Sequence, residues 1–464
     1  MDKSNCYLNE KYMNCGINIS AVVSNNLCTA CGGCLGICPS NAIDSFETVS
    51  GCLEFKVNPD KCLNCGLCIK ICPGVGFCNV LLNSMPTDPF VGTISDTWVG
   101  KATDQTIYAN SQSGGVVTGL LFSAIKEGEI GGAIVVTMKS GNPPRPEVKL
   151  VSTKSELMQA QQSKYSPVPL LSIVKTLTAI NYPVAIVGLP CHMHGLENMI
   201  NSHPYIKEKV KYKIGLICDR VLSYAAIDYL LERAGCAGKG ETSIVWRCKE
   251  VSGYPGDVKI GCQGDYIILP AKERMKIKEY FTPIRCRLCF DKLNIFADIV
   301  VGDPHGIQNI DRKNGESVIF VRTTTGQKLL ETAELNGSLI IRKTNHLEAI
   351  KGQNVDEKRA YWLNYCLEWK KRKNILPNFF EKVSQCFNSY KVPKHYRSHI
   401  KYSLYLKNCD SKEEFFKFIN EKIYGRNIFR KILYEIKMQL KFTKQKEGKN
   451  KYVRRTQGCK QLCQ

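Results

Sequence analysis

The segment CTACGGCLGICP (residues 28–39) decides how the first part of the chain folds, and CLNCGLCIKICP (residues 62–73) repeats its spacing. In each copy, two residues separate the first three cysteines from one another, and a fourth cysteine follows directly before a proline. A tight loop of this kind brings three thiolates to three irons of one 4Fe–4S cube, and the fourth thiolate serves another cube. The repeat therefore predicts two 4Fe–4S clusters.

The spacing also predicts the ligands, because each cluster takes three cysteines from one copy and the fourth from the other. The first quartet is Cys28, Cys31, Cys34 and Cys72, and the second quartet is Cys62, Cys65, Cys68 and Cys38. The arrangement resembles the bacterial two-cluster ferredoxins over about residues 21–80. The alternatives are zinc knuckles, which need only paired cysteines, and a disulfide framework.

Other cysteines fit no such pattern. Cys52 and Cys78 belong to neither quartet and are expected to be buried thiols without a ligand role. No role is predicted for Cys6, Cys15, Cys459 and Cys463.

Composition is typical of a globular protein from a reducing compartment. The chain has 464 residues, 44% of them hydrophobic, which suits two to four domains with ordinary cores. It has neither an export signal nor an apolar run of the roughly 18 residues that a membrane span needs, so we expect a cytoplasmic protein. In that compartment clustered cysteines bind metal or do redox work more often than they form disulfides.

The net charge of +22 comes mainly from the end of the chain. Residues 351–464 contain 28 Lys and Arg against 10 Asp and Glu, or +18, which leaves +4 for the first 350 residues. No recognisable nucleic-acid-binding module accompanies these charges, so we expect no nucleic-acid partner. Residues 421–441 have an apolar helical stripe among basic residues, which predicts a helix packed on the protein. The alternative is peripheral contact with the anionic inner face of a membrane. We expect a chain shortened after Lys351 to keep its cofactors.

The order of patterns along the chain predicts four zones. After the cysteine-rich zone and the linker MPTDPF (residues 85–90), short β-branched runs alternate with helical patterns, which favours an α/β layered domain. The predicted strands are residues 133–137, 184–188, 213–218, 297–303 and 317–323. The zones are a polar lead (1–20), the cluster domain (21–88), the α/β domain (92–345) and a basic, mainly helical C-terminal extension (346–464).

Several separated motifs in residues 92–345 resemble, in the right order, the family of coenzyme F420 hydrogenase/dehydrogenase beta subunits. They are SQSGGVVTGLL (111–121), SKY (163–165), VGLPCH (187–192), GLIC (215–218), CRLCFD (286–291), ADIVVGD (297–303) and SVIFVRTTTG (317–326). With the ferredoxin-like unit, the resemblance spans about three quarters of the chain. It implies a flavin-binding α/β domain that follows an α+β ferredoxin-like module with two 4Fe–4S clusters.

The resemblance implies that FAD is the flavin and that two of these motifs line its pocket. Paired glycines at the start of a helical pattern allow close backbone approach to a cofactor, although a plain turn would look the same. Asp303 follows a predicted strand, where it either contacts a cofactor hydroxyl or caps a turn. The implied FAD contacts are Ser113, Gly114, Gly115, Ser163, Lys164, Tyr165 and Asp303.

Four further cysteines follow or precede predicted strands, where α/β sheets place their sites. The third cysteine set is Cys191, Cys218, Cys286 and Cys289. The resemblance implies that this set holds a third 4Fe–4S cluster beside the flavin. The alternatives are a structural zinc at the Cys286–Cys289 pair and a nucleophile that uses Cys191 with His192 or His194.

The resemblance implies an iron–sulfur flavoprotein oxidoreductase that passes electrons between 4Fe–4S clusters and FAD. FAD would exchange hydride with coenzyme F420 or with another organic acceptor, and the redox partner would be a ferredoxin, a hydrogenase subunit or a dehydrogenase subunit. Three alternatives stay open. One is a non-catalytic subunit that relays electrons between partner proteins, and another is a reductase in cell-surface polysaccharide biosynthesis. The third is an interaction protein with structural clusters and a membrane-binding tail.

Overall fold

The computed structural model describes residues 18–385 and 395–425. The chain divides into a larger unit that ends at Asn408 and a smaller unit that begins at Cys409. The described part of the smaller unit contains one helix, Lys412–Tyr424, whose first turn is capped by the Ser411 side chain. No helix in the described residues is long and apolar enough to cross a membrane. Most of the predicted amphipathic helix at residues 421–441 lies outside the described residues.

The repeated cysteine segments fold as repeated loop–helix units. Each loop ends in a left-handed glycine that precedes a short helix, with φ of +80° at Gly32 and +70° at Gly66. A Cβ at Gly32 would lie 2.6 Å from the carbonyl oxygen of Pro169, so only glycine fits there. The elements of this module are α1 (Ile19–Ser24), α2 (Gly33–Ile37), β1 (Ile43–Glu47), β2 (Leu53–Val57), α3 (Leu67–Lys70) and α4 (Asn79–Asn83).

An eight-stranded mixed sheet forms the α/β body, and all five predicted strands are confirmed as members of it. Its strands are β3 (Asp96–Ala102), β4 (Gly132–Lys139), β5 (Arg145–Val151), β6 (Val184–Gly188), β7 (Val210–Leu216), β11 (Ile299–Gly302), β12 (Ser317–Val321) and β13 (Leu339–Lys343). Their order is β13-β3-β12-β11-β7-β6-β4-β5. The inner strands β11, β7, β6 and β4 are parallel, and the outer pairings are antiparallel. The carboxyl ends of the parallel strands therefore lie along one edge.

Both faces of this sheet are buried. Alternate residues of β12 belong to different hydrophobic cores, with Val318 and Phe320 in one and Ile319 and Val321 in the other. The first core continues into the ferredoxin-like module, and the second lies under α6 and α13. The helices of this region are α5 (Gln105–Asn110), α6 (Val116–Lys126), α7 (Lys154–Gln159), α8 (Pro190–Ser202), α9 (Pro204–Lys209), α10 (Ala225–Arg233) and α13 (Thr324–Leu335). A 3₁₀ helix spans Leu170–Ala179.

A second sheet and two helices follow α10 and lie between it and β11 in the chain. This sheet has three antiparallel strands in the order β10-β9-β8. Its strands are β8 (Thr242–Cys248), β9 (Asp257–Cys262) and β10 (Asp265–Leu269), and the helices are α11 (Ala271–Phe281) and α12 (Ile284–Arg287). No motif in the sequence had predicted this sheet.

The first part of the C-terminal zone belongs to the larger unit. Its helices are α14 (His346–Gly352), α15 (Val355–Lys371), α16 (Phe380–Ser384) and α17 (Tyr396–Asn408). Trp362, Tyr365 and Trp369 of α15 are all buried in the same core as the ferredoxin-like module. Helices α15, α16 and α17 are thus part of the body of the protein.

Candidate redox centre

The third cysteine set comes together at the carboxyl edge of the parallel strands. Cys191 lies in the first turn of α8, directly after β6, and Cys218 lies two residues beyond the end of β7. The pair Cys286 and Cys289 lies on and just after α12, upstream of β11. All four residues line one cavity of about 110 Å³.

Burial governs the protonation of these thiols. The Cys191 and Cys218 thiols have pKa values well above the ordinary value, first because burial disfavours the thiolate and then because neighbouring thiolates of the same set repel it. Without a metal they would be neutral at physiological pH. A bound metal reverses this preference, because a coordinating thiol is deprotonated outright. Four converging thiols with no compensating cation in their own set are a donor set that fits an iron–sulfur cluster.

The cavity also contains a ligand of the first quartet. Cys28 lines it beside the third cysteine set. The first quartet lies on this side of the ferredoxin-like module, since the Cys31 carbonyl oxygen accepts a hydrogen bond of 2.8 Å from the Leu171 amide. The Cys31 thiolate is close enough to contribute to the raised pKa of Cys191. The first quartet and the third set are therefore neighbours.

The cysteines of each predicted quartet come together at a place of their own. In the first, Cys28, Cys31 and Cys72 all raise the pKa of Cys34 through charge repulsion, after the larger effect of burial. Burial raises the pKa of Cys28 itself to about 12. The second quartet lines another, smaller cavity, with Cys38, Cys62, Cys65 and Cys68 around it. Cys65 is exposed, so the second quartet is the one next to solvent.

The described cysteines do not form a site for a single metal ion. A zinc ion holds four ligands at about 2.0–2.3 Å from one centre, so their donor atoms crowd together. Among residues 18–385 and 395–425, no group of three or more His, Cys, Asp and Glu side chains is close enough for one metal ion. This geometry argues against the zinc alternatives at the described cysteines.

The nucleophile alternative finds no base for Cys191. Both ring nitrogens of His192 are engaged: Nδ1 accepts from the Leu189 amide at 3.1 Å, and Nε2 donates to the Val168 carbonyl oxygen at 3.1 Å. Burial lowers the pKa of His192 to about 4, so the ring is neutral. His194 directs Nε2 to Asp291 Oδ2 at 2.9 Å, in a fully buried pair.

The C-terminal helices hold the Cys286–Cys289 loop in place. Trp362 Nε1 donates to the Leu288 carbonyl oxygen at 3.0 Å, and Arg287 Nε donates to Ser403 Oγ at 2.9 Å. Lys407 of α17 lines the cavity itself. The expectation that a chain shortened after Lys351 keeps its cofactors conflicts with this packing, because shortening would uncover the loop that carries two cysteines of the third set.

The expected FAD contacts at residues 113–115 pack tightly on the sheet. Gly115 has φ of +75° and precedes α6, as the paired glycines predict. The Gly114 amide donates to Ser317 Oγ at 3.0 Å, and the Ser113 hydroxyl donates to the Glu316 carbonyl oxygen. A Cβ at Gly114 would lie 2.4 Å from the Gly100 carbonyl oxygen, so close backbone packing alone already requires glycine there.

Residues 163–165 face different surroundings from one another. The Ser163 amide donates to Gln112 Oε1 at 3.4 Å. Lys164 directs its ammonium to the carbonyl oxygens of residues 160–162, at 2.5–2.8 Å, and burial lowers its pKa to about 7. Tyr165 has φ of +48° and packs edge-on against Trp246, with the ring centroids 5.6 Å apart. Of the three side chains, Tyr165 is the one that joins the charged cluster described next.

Two arginines that sequence reasoning missed surround Asp303. Arg247 of β8 donates from Nη1 to Asp303 Oδ2 at 2.7 Å, and Arg274 of α11 lies 5.3 Å above the Tyr165 ring. Arg247 Nη2 and Arg274 Nε are buried and have no acceptor in the described residues. The available signal was an arginine inside the apolar run of β8 (TSIVWRC). The cluster of Tyr165, Arg247, Arg274 and Asp303 is hereafter the arginine cluster.

Comparison with known proteins agrees with the order of these parts. Residues 97–175 match the N-terminal domain of the family of coenzyme F420 hydrogenase/dehydrogenase beta subunits, and residues 182–346 match its C-terminal domain. Together the two matches cover more than half of the chain. Residues 27–75 match a 4Fe–4S dicluster domain.

Relatives of this chain are named as redox proteins. The beta subunit of coenzyme F420 hydrogenase from Methanosarcina barkeri is 26% identical over 58% of this chain and 87% of its own length. A subunit of the F(420)H(2) dehydrogenase from Methanosarcina mazei is 27% identical over 68% of this chain and 84% of its own length. The coenzyme F420-dependent sulfite reductase from Methanocaldococcus jannaschii is 25% identical over 72% of this chain, which matches 50% of that protein.

A solved structure of the F420-reducing [NiFe] hydrogenase complex from Methanosarcina barkeri contains a chain that is 21% identical, with a TM-score of 0.44 over 60% of this chain and 95% of its own. The family matches, with the dicluster domain ahead of them, identify the protein as an oxidoreductase of the iron–sulfur type. The chain belongs to the family of coenzyme F420 hydrogenase/dehydrogenase beta subunits.

Proposed function

We propose that this protein passes single electrons through three 4Fe–4S clusters to or from FAD, which exchanges hydride with coenzyme F420 or another organic acceptor. The observation that carries the proposal is the cavity at which the third cysteine set meets Cys28 of the first quartet. If the two ferredoxin clusters were only structural, nothing would require a second set of cysteines from the α/β domain beside the first quartet. That arrangement is what a relay from the cysteine-rich domain (21–88) into the α/β domain (92–345) requires.

The relay runs from the surface inward. The second quartet has the exposed Cys65 and is where a redox partner, such as a ferredoxin or a hydrogenase or dehydrogenase subunit, exchanges electrons. The first quartet neighbours both other sets, since the charge of Cys68 of the second quartet raises the pKa of Cys34, and Cys28 lines the cavity of the third set. Each proposed cluster then has a neighbour on the path.

The arginine cluster supports FAD in the α/β domain. Two guanidinium groups, each with a buried N–H donor that has no acceptor in the described residues, fit an anionic or carbonyl-rich cofactor, because arginine binds such groups through several parallel hydrogen bonds. Bound FAD would convert single electrons into hydride equivalents. The proposed pocket comprises Ser113, Gly114, Gly115, Ser163, Lys164, Tyr165 and Asp303, with Arg247 and Arg274 added. Within it, Lys164 supports the segment from inside through its bonds to three carbonyl oxygens.

Anaerobic purification and reconstitution of the full chain test this proposal. We expect roughly twelve irons and twelve sulfides per chain, the total for three cubes, together with FAD released on denaturation. After reduction by dithionite, mixing with coenzyme F420 should reoxidise the flavin, and mixing with NAD(P)+ in parallel tests another hydride acceptor. A flavin-free protein with about eight irons, the total for two cubes, would contradict the proposal and favour a relay subunit.

A further inference from the structure

Arg285 occupies the space between the first quartet and the third cysteine set. It lies on α12, directly before Cys286, and is 4% exposed. Its Nη2 donates to the carbonyl oxygen of Pro73 at 3.1 Å, and Pro73 directly follows Cys72 of the first quartet. The side chain also lines the cavity in which the third set converges. Arg285 therefore touches both cluster regions at once.

Two of the three nitrogens of the Arg285 guanidinium lack an acceptor in the described residues. Its Nε and Nη1 are buried and have no hydrogen-bond acceptor in residues 18–385 and 395–425. No carboxylate of these residues forms an ion pair with it, and the nearest ring, Phe379, lies with its centroid 5.7 Å away. A buried cation is costly unless it is paired and hydrogen-bonded. The groups that pair with the Arg285 guanidinium are therefore ones that bind to the protein at this cavity.

Arg287, two residues further along, shows that this region can satisfy a buried guanidinium when its role is structural. It is 3% exposed, and each of its three nitrogens donates to an acceptor. Nε bonds to Ser403 Oγ, Nη1 to Glu279 Oε2, and Nη2 to the Glu279 carbonyl oxygen. The lack of acceptors at Nε and Nη1 is therefore specific to Arg285, because the other buried arginine of α12 has acceptors at all three nitrogens.

The guanidinium lies next to cysteines on both sides. Arg285 directly precedes Cys286 of the third set, and its Nη2 donates to the carbonyl oxygen of the residue that follows Cys72 of the first quartet. Each thiolate-ligated 4Fe–4S cluster is an anion that gains a further negative charge on reduction. Hydrogen bonds to sulfur and net charge are among the factors that set the potential of such a cluster. A fixed cation between two clusters stabilises the reduced form of each.

We propose that Arg285 tunes the reduction potentials of the first and third clusters together, through its charge and its Nε and Nη1 donors. An electron then passes between two clusters whose potentials differ little. This inference rests on the proposed function, because it assumes a cluster at the third set. The step it serves is the transfer of one electron from the reduced cluster to the oxidised one, with no bond or proton change. Arg285 is a positioning residue in this sense and takes no part in hydride transfer.

Potentiometric titration of the reconstituted full-length protein, followed by electron paramagnetic resonance, tests the inference. In Arg285→Met we expect the potentials of two of the three clusters to fall, with each reduction equilibrium changed about tenfold, or 59 mV for a one-electron couple. The surface cluster of the second quartet should keep its potential, and the iron content should not change. Arg285→Lys, which keeps the charge but loses the planar donors, should give a smaller shift. Arg145→Met, which removes a guanidinium paired with Glu47 and Asp228, is the control and should leave all three potentials in place.

The outcomes separate this inference from the proposed function. Unchanged potentials in both Arg285 variants at full iron content would overturn the role of Arg285 and leave the relay intact. Loss of iron in both variants would make Arg285 a structural residue and would also overturn it. A wild-type protein with only two cubes would contradict the third cluster. In that case the joint tuning of two clusters fails with it, and a lower potential of the first cluster in Arg285→Met would be an effect on that cluster alone.

Discussion

We expect a cysteine to be a ligand in the candidate redox centre only where its side chain lines the cavity, and not merely because it lies nearby. Cys366 of α15 is fully buried, and its thiolate would be affected by the charge of both Cys289 and Arg285. Yet Cys366 does not line the cavity at which Cys286 and Cys289 meet. The two kinds of buried cysteine should therefore respond differently to the same substitution.

Replacing Cys286 by serine should lower the iron content by roughly four atoms per chain, one cube. It should also stop dithionite-reduced clusters from passing electrons to the flavin, because the link to the α/β domain is lost. Iron and sulfide analysis and flavin absorbance under argon measure both effects. Cys366→Ser is the control and should keep full iron. Equal iron contents in the two variants would remove Cys286 from the ligand set.

At the arginine cluster, we expect Arg247→Met to weaken FAD binding at least tenfold, with no loss of iron. A hydrogen bond to or from a charged group contributes roughly 1.5–3 kcal/mol, and about 1.4 kcal/mol corresponds to tenfold in affinity. The measurement is the FAD retained after gel filtration, followed by titration of the flavin-depleted protein. Arg145→Met removes a guanidinium that already pairs with Glu47 and Asp228, so it should leave FAD binding unchanged. Equal FAD affinity in the Arg247 and Arg145 variants would place the flavin elsewhere.

At the scale of elements, α15 and α17 pack against the loop between Cys286 and Cys289 of the third cysteine set. The Trp362 indole is 1% exposed and combines a packed ring with a hydrogen bond to the loop between Cys286 and Cys289. The hydroxyl of Tyr365, one turn further on, and Nδ1 of His399 on α17 share a hydrogen bond of 2.7 Å. The two helices are thereby tied to each other and to the loop.

Replacing Trp362 by alanine should destabilise the protein by roughly 3–5 kcal/mol, the usual cost of truncating a large buried aromatic residue. Trp362→Phe keeps most of the packing and should lose about 1 kcal/mol with the hydrogen bond to Leu288. Urea unfolding followed by circular dichroism gives the order of stability. Leu367→Ala, at a 42% exposed site on the same helix, should change stability by less than about 0.5 kcal/mol. If the Trp362→Ala protein were as stable as the Leu367→Ala protein, the packing of α15 through Trp362 would not stabilise the protein.

At the scale of the whole molecule, three parts of the chain meet around one cavity. The cysteine-rich module contributes Cys28, the α/β body contributes the third set, and α17 contributes Lys407. All twelve predicted cluster cysteines lie before residue 290, while the packing that supports them extends to Asn408. Ligand positions alone therefore understate how much of the chain the centre needs.

Two shortened chains test this dependence. A chain that ends at Asn408 should keep about twelve irons, the total for three cubes, because it retains all of the larger unit. A chain that ends at Lys351 should lose the cube at the third set, since Trp362 and Ser403 no longer support its loop. Iron analysis after identical anaerobic reconstitution compares them. Full iron in the shorter chain would show that the C-terminal helices are dispensable for the centre.

Local spacing determined the features that the sequence alone predicts well. The ligands of the two quartets fall within two twelve-residue segments, so their grouping follows from the loop that those segments must form. The five predicted strands are short, apolar and β-branched, and burial on both faces of a mixed sheet explains that composition. The paired glycines at 114 and 115 likewise marked the start of a helix.

Tertiary structure alone decided how distant parts combine. Cys191 and Cys289 are almost a hundred residues apart and meet because β11 pairs with β7, and β7 with β6. The second sheet, which brings Arg247 to Asp303, follows no motif, and the open donors of Arg285 are defined only by what surrounds them. Spacing along a chain acts through a few bonds, whereas burial, charge and hydrogen-bond partners at these sites depend on the order in which the strands assemble.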